Sequence, residues 1–527
     1  MSSHSLLGLS MADRFVVTTA LAFPEAWAGR QAFASSMGQL TFADMREGAL
    51  RSCRLLHEQY GVGTSDRVAF CLPKSLEAIQ IILGILAAGA AYVPLQFRGP
   101  PARLNSILRS TEPRLLVTTA EMATQLAAAG GLPALSVCCL AAAEAGQGLA
   151  KLLSGFAPAT ALPPSRPEDL AAIYFTSGST GEPKGVMLSH GNIAAGVDLV
   201  VKSDALSDGD QLLSHTNLHY AAYDMFFPFA VGCRAFLLSD REAMLPTGTA
   251  AAVERERVTV WRSTVTALRL LLESGELAER DLSCLRLLGV FGEPLPIPLL
   301  RRLMAVLPAC RFTANYGATE AYRIASFDIP RDLPDDLVSL PIGPGMAEYA
   351  FSLRDEEDRE VEDGAVGEIC VEGSTVMLGY WKDPQLTTSR RLPGRPRSWR
   401  SGDLGYRDAA GLLHLVGRKD QMVKIRGHRF DLGEIEAVLR NQANVRDAIA
   451  MLFTRAEGNA EVHAAVAAEN SGPLKTALHL ACAKCLPAFA RPSRIVMFQQ
   501  FPTLPTGKVD RMALQARLAE VEGDSSP

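Results

Sequence analysis

The stretch YFTSGSTGEPKG, Tyr174 to Gly185, gathers three glycines, two threonines, two serines and one lysine in twelve residues. Glycine lets a backbone approach a ligand closely, and the clustered N–H groups of such a turn can wrap phosphate oxygens. Thr176, Ser177, Ser179 and Thr180 add hydroxyl donors, and Lys184 adds a compact positive charge. Anion binding is the chemistry on offer, although a plain flexible turn uses the same residue types. The GxxxxGK[ST] phosphate loop is not matched. Pro183 precedes the lysine, and the GVM run after it reads as a strand, not as the start of a helix. A second pair with ligand spacing, Cys482 and Cys485, lacks the further CxxC or HxxxH that would complete a four-ligand zinc site. It reads as two helix-packed cysteines.

The elements that would position the glycine-rich stretch follow from apolar patterning. LTFADMREGALRSCRLLHEQY reads as an amphipathic helix opened by Thr41 and Asp44. DRVAFCL is a buried strand followed by the helix SLEAIQIILGILAAG, and TEPRLLVTT with AEMATQLAAAG repeats the pattern. Such alternation over about the first 330 residues predicts an α/β class with parallel-type sheets covered by helices. From about 340 to 417, short runs such as GEICVEG and LGYRDAAGLLHLVG predict a small β-rich subdomain. After VGRKDQMVKIRG, a helix (FDLGEIEAVLRN), two strands (AIAMLF, VHAAVAA), a helix and a strand (RIVMFQQFP) predict a compact α+β C-terminal domain of about 110 residues. The expected boundaries are 1–417, a joint at 418–420, and 421–527.

Composition agrees with globular domains. The 527 residues are 48% hydrophobic and 21% charged, more than one core holds, so several domains are expected. Net charge is −5 with both signs scattered, which gives no basic stripe for nucleic acid. Ten mostly isolated cysteines suit a reducing compartment. No apolar run is long enough to span a membrane, and FVVTTALAF follows Asp13 and Arg14, the wrong flank for a secretion signal. A cytoplasmic protein is expected.

YFTSGSTGEPKGVMLSHGN resembles the signature loop of the adenylate-forming superfamily, which includes acyl-CoA synthetases, peptide-synthetase adenylation domains and luciferases. NYGATE (Asn315 to Glu320), GEICVEGSTVMLGYW, SGDLGYRD, GRKDQMVKIRGHRFDLGEIE and LPTGKVDR follow in that family's order over essentially the whole chain. The resemblance implies a carboxylate joined to the α-phosphate of ATP with loss of pyrophosphate, and then transfer of the acyl group to a thiol. It implies that Thr176, Ser177, Gly178, Ser179, Thr180, Gly181 and Lys184 hold the outer phosphates. Tyr316, with Asn315 and Gly317 beside it, would stack on adenine, and Gly292 and Glu293 would form the adenine-side turn. Thr319 would bind the α-phosphate, Glu320 Mg²⁺, and Asp403 with Arg418 the ribose. Lys508 would bridge carboxylate and α-phosphate, where a cation stabilises accumulating negative charge. The C-terminal domain would swing about Asp420, and Lys424 would enter the site for the thiol step.

Alignment places His219, Tyr220, Tyr223, Arg262, Gly289, Phe291, Arg323 and Ile324 around the acid. His219 stands where family members that activate α-amino acids carry an aspartate for the ammonium, so an ordinary α-amino acid is disfavoured, unless Asp224 takes that place. Two readings of Arg262 and Arg323 stay open: they meet a second anionic or polar group on the substrate, or they pair with nearby acids. Long-chain fatty acids fit such polar residues poorly. The wording of GHRFDLGEIE and GKVDR is closer to the peptide-synthetase branch. With the chain ending soon after Lys508, it favours a stand-alone enzyme loading a separate carrier protein, in natural-product synthesis. Free CoA as acceptor, another fate of the acyl-adenylate, and an inactive binding protein are the alternatives.

Overall fold

The computed structural model describes residues 21–131, 135–140, 148–177, 183–219, 223–274, 276–337, 339–419, 422–425, 428–454, 460–469, 471–486, 491–503 and 509–523. A few of these, Ser177 and Lys424 among them, are described by their backbone alone. Gly178, Ser179, Thr180, Gly181, Tyr220, Asp420 and Lys508 lie outside the described residues.

Two large sheets form the body of the molecule. The first has eight strands, in the spatial order Tyr322–Ile329, Arg311–Ala318, Leu287–Phe291, Val260–Thr264, Gln211–Ser214, Arg234–Leu237, Gln31–Ser35 and Gly38–Thr41. Its internal pairs are parallel and its two edge pairs antiparallel. The second has seven, in the order Gly379–Tyr380, Pro183–Ser189, Leu170–Ser177, Ala91–Pro94, Arg67–Cys71, Leu115–Thr119 and Ser136–Leu140. The expected β–α alternation is therefore found, and parallel pairing demands that both faces be covered.

The helix Leu76–Ala87 shows how the covering works. Eleven of its residues are buried, so it is apolar all round. It packs on the amphipathic helix Phe42–Tyr60 and touches strands of both sheets. Phe42–Tyr60 begins where the sequence indicated: the Thr41 side chain accepts from the Asp44 N–H while Asp44 accepts from the Thr41 N–H.

A third sheet of four antiparallel strands, Tyr349–Arg354, Gly367–Gly373, Ser398–Arg407 and Leu413–Arg418, corresponds to the β-rich stretch. A smaller C-terminal domain follows. Its three strands Asp447–Thr454, Ala460–Ala467 and Arg494–Phe498 are covered on one face by Leu432, Ile435, Leu439 and Leu478, and on the other by Phe501, Leu514 and Leu518. Cys482 and Cys485 lie on the helix Gly472–Cys485, the first buried and the second exposed. Among the described residues no helix is long and apolar enough to cross a membrane.

One capped helix bears directly on the site. His190–Ser203 follows the strand Pro183–Ser189 and ends at Asp204. At its start Ser189 accepts from the Asn192 N–H and Asn192 accepts from the Ser189 N–H, while the Asn192 amide also donates to the carbonyls of Ser374 and Val376. Ser189→Ala should therefore lower unfolding stability by about 0.5–2 kcal/mol, the usual effect of losing such a cap. Denaturant titration measures it, and an unchanged midpoint would contradict the assigned cap.

Candidate active site

The glycine-rich stretch joins two antiparallel strands. Thr176 and Lys184 face each other in register across Leu170–Ser177 and Pro183–Ser189. GVM continues as strand, as the sequence indicated. The short strand Gly379–Tyr380 pairs with the outer side of this hairpin, Tyr380 opposite Val186.

That pairing carries a tyrosine to the acid of NYGATE. The Tyr380 hydroxyl donates to Glu320 Oε1 at 3.0 Å. Glu320 and Thr319 lie in the turn between Arg311–Ala318 and Tyr322–Ile329. Burial pushes the Glu320 carboxyl above its usual range, against the opposing effect of the Tyr380 bond and of the Arg390 and Arg418 charges. A carboxylate held this way fits a hard divalent cation, whose charge would restore the ionised form. Tyr316 lies on the adjoining strand, and its hydroxyl donates to the Asp403 carboxylate in a short hydrogen bond. Arg418 Nη1 lies 3.2 Å from the other oxygen of Asp403. Gly292 follows the strand Leu287–Phe291 with φ +87, and nothing lies within 4 Å of where a Cβ would stand, so this face is open. Glu293 accepts from the Thr266 hydroxyl at 3.0 Å. Ring, carboxylate, guanidinium and open glycine turn thus meet at the carboxyl ends of the parallel strands, where open α/β sheets bind ligands.

The acid-pocket positions separate into two kinds. Tyr223 stacks on Tyr322 with ring centroids 3.6 Å apart, and both press on Gly196 of the helix His190–Ser203, where a Cβ would come within 2.4 Å of Tyr223. Ile324 is fully buried, and Gly289 and Phe291 lie on one strand beside Asn315. Asn315 is engaged within the sheet: its amide donates to Thr313 Oγ1 at 3.1 Å, and it accepts from Ser326 Oγ at 2.9 Å. Arg262 and Arg323 are both ion-paired to the buried Asp204, so the second of the two readings, pairing with a nearby acid, is the arrangement found. The expectation that these arginines stand ready for a second anionic group gives way, because their charge is already met. His219 is held neutral, its imidazole pushed down to about 4 by burial and by the charge of Arg103.

Residues 20–381 match the family model described as AMP-binding enzyme. The chain belongs to this family. An L-proline–[L-prolyl-carrier protein] ligase of Pseudomonas fluorescens is 30% identical to this AMP-binding enzyme, over 88% of this chain and 91% of its own length. A protein of the same description from Streptomyces coelicolor is 33% identical, over 86% of this chain and 88% of its own. The crystal structure of the anthranilate CoA ligase AuaEII in complex with anthranoyl-AMP shares the fold, with TM-score 0.87 and 22% identity over 97% of this chain and 100% of that one. The chain is an AMP-forming ligase that activates a carboxylic acid as its acyl-adenylate.

Four residues escaped the reading of the sequence. Tyr380 falls inside the quoted GEICVEGSTVMLGYW run, but only the hairpin pairing reveals its partner. Asp204 and Tyr322 are separated in sequence from the residues they touch. Lys74 lies in the loop between the strand Arg67–Cys71 and the helix Leu76–Ala87 and donates to the carbonyls of Ser214, His215 and Thr216 at 2.7, 3.0 and 3.2 Å, which ties down the approach to His219. Burial lowers its ammonium to about 8. A cleft of about 1670 Å³ opens beside that approach, bounded by Lys74, Arg98, Asn217 and Asp240, and includes none of the nucleotide-side residues.

His190, His215 and His219 are each pushed down to about 4, burial being the largest cause in all three. In the unfolded chain a histidine titrates near 6.5. As pH falls from about 6.5 to 4 the unfolded state therefore takes up protons that the folded state refuses, and stability is lost across that window. We expect the melting temperature to drop over this range and His190→Gln to flatten the slope. An identical slope in the variant would refute the buried neutral imidazole.

Proposed function

We propose that this ligase activates a carboxylic acid lacking an α-ammonium group, and that it passes the acyl group to the phosphopantetheine thiol of a separate carrier protein. The observation that carries the adenylating part is the convergence of Tyr316, Asp403, Arg418 and Glu320 beside the Thr176–Lys184 hairpin. The two carrier-protein ligases that match over about nine-tenths of their own lengths support the carrier as acceptor.

In this reading Thr176 to Lys184 hold the outer phosphates of ATP, and Tyr316 lies against adenine with Gly292, Glu293 and Asn315 to Gly317 around it. Asp403 accepts from the ribose hydroxyls, a task suited to a carboxylate with two oxygens, and Arg418 sets its direction. Thr319 donates to the α-phosphate. Glu320, oriented by Tyr380, would hold Mg²⁺, which supplies neutralisation of phosphate charge. The carboxylate and the α-phosphate are both anionic, so the approach of one to the other demands a cation between them. Lys508 is assigned that place.

The joint is assigned to Asp420, with Lys424 brought in for the thiol step. The neighbouring residue favours this. Lys419 donates from its backbone to the Gly402 carbonyl at 2.7 Å, and its ammonium reaches Glu368 at 3.2 Å. The chain is therefore pinned to the four-stranded sheet up to residue 419, and a pivot needs only the next few residues to absorb a change in φ and ψ.

Acid-dependent exchange of pyrophosphate into ATP tests the first step without the acceptor. Lys508→Ala should slow it at least about 10²–10³-fold, the usual effect of removing one such donor. Asp420→Pro should leave exchange largely intact and impair thiol loading. Equal exchange rates in wild type and Lys508→Ala would remove the lysine from its role. Loading of free CoA in preference to any carrier protein would remove the carrier from the proposal.

A further inference from the structure

Arg262 projects from the strand Val260–Thr264 and Arg323 from Tyr322–Ile329, and both converge on Asp204, which caps the C-terminal end of the helix His190–Ser203. Arg323 Nη1 donates to Asp204 Oδ1 at 2.5 Å and Nη2 to Oδ2 at 3.2 Å; Arg262 Nη1 donates to Oδ2 at 3.2 Å. Side-chain exposure is 2% for Asp204, 6% for Arg323 and 9% for Arg262. Burial alone would raise the Asp204 carboxyl, but the two guanidiniums hold it below its usual range. Beyond Asp204, Arg323 Nη1 donates to Ser203 Oγ at 2.8 Å. Arg262 lies over the Phe227 ring at 4.2 Å, with Nη2 4.0 Å from Asp224 Oδ1.

The cluster holds two guanidiniums and two carboxylates, so its charge balances inside the protein. It also occupies space. Arg262 stands opposite Gly289 in the sheet, and a Cβ at 289 would come within 3.1 Å of Arg262 Cγ and 3.2 Å of Asn315 Nδ2. The arginine stem thus fills the room that Gly289 leaves. Removing one member of such a buried set strands an uncompensated charge.

We infer that Asp204, which is none of the pocket-lining positions, helps to set the acid specificity of this enzyme by neutralising Arg262 and Arg323 together with Asp224, so that the pocket takes an acid whose sole charge is the reacting carboxylate. This rests on the acid-activating reading above. A second carboxylate on the substrate would compete with Asp204 for guanidiniums already engaged and be repelled by it. An α-ammonium would meet the neutral His219 and the nearby charge of Arg103, while Asp224 already faces Arg262 and accepts from Thr216 Oγ1 at 3.4 Å. Asp204 acts through the arginines and is a positioning residue.

The test is pyrophosphate exchange over three acid groups: uncharged monocarboxylates such as benzoate and short aliphatic acids, dicarboxylates such as malonate and succinate, and amino acids including L-proline. Wild type should prefer a member of the first group. Asp204→Asn should raise the kcat/KM ratio of dicarboxylate to monocarboxylate at least about tenfold, with KM for ATP unchanged, because an arginine charge is released. The double variant Asp204→Asn with Arg323→Gln removes one charge of each sign and should restore the wild-type ratio. A folding defect without respecification would not move this ratio or be reversed by the second change. A wild-type preference for L-proline or a dicarboxylate overturns the inference whatever the variants do, as does an unchanged ratio in folded Asp204→Asn. No exchange with any acid, despite ATP binding, would instead overturn the acid-activating reading on which it stands.

Discussion

Tyr316 and Asp403 are 87 positions apart and belong to different sheets, yet the hydrogen bond between them closes one face of the site. Through it the edge of the eight-stranded sheet is locked to the four-stranded antiparallel sheet, and Arg418 extends the link to the strand that leads into the C-terminal domain. The Asp403 turn is held in its own right. Its N–H donates to Ser401 Oγ at 2.9 Å, and the Gly402 N–H donates to the buried Glu368 at 3.1 Å. Glu368 also takes the Lys419 ammonium, so one buried carboxylate supports both the nucleotide face and the last anchored residue before the joint. Site geometry and domain attachment therefore share their supports.

Charge is the second organising constraint. An enzyme that joins two anions must keep cations near the reaction without letting buried cations dominate the acid pocket. Lys184 faces Thr176 across the hairpin strands, and Arg418 pairs with Asp403. The buried Arg262 and Arg323 are balanced by Asp204 and Asp224, and Lys74 is turned toward three backbone carbonyls. A buried ion pair contributes little net stability once desolvation is counted, so such a cluster is better explained by what it specifies than by what it stabilises.

Much of the molecule was legible in the residues themselves. Period-2 and period-3.6 patterns located Arg67–Cys71, Leu76–Ala87, Leu115–Thr119 and Leu432–Arg440, because burial of one face or of all faces writes itself into local spacing. Thr41 and Asp44 announced a helix start, and the GVM run after Lys184 announced a strand, since both are rules about neighbours a few residues apart. The short motifs identified the family. The pairing of Arg262 and Arg323 was different: either a substrate anion or an internal acid satisfied everything the sequence contained. Asp204 lies 58 and 119 positions from these arginines, and no local spacing connects them. The same holds for Tyr380 and Glu320, 60 positions apart, which meet only because Gly379–Tyr380 joins the hairpin edge. The sequence by itself determined the elements and the reaction class, which depend on short-range pattern. Tertiary structure decided which buried charges cancel, because that depends on a few ångströms between strands and helices remote along the chain.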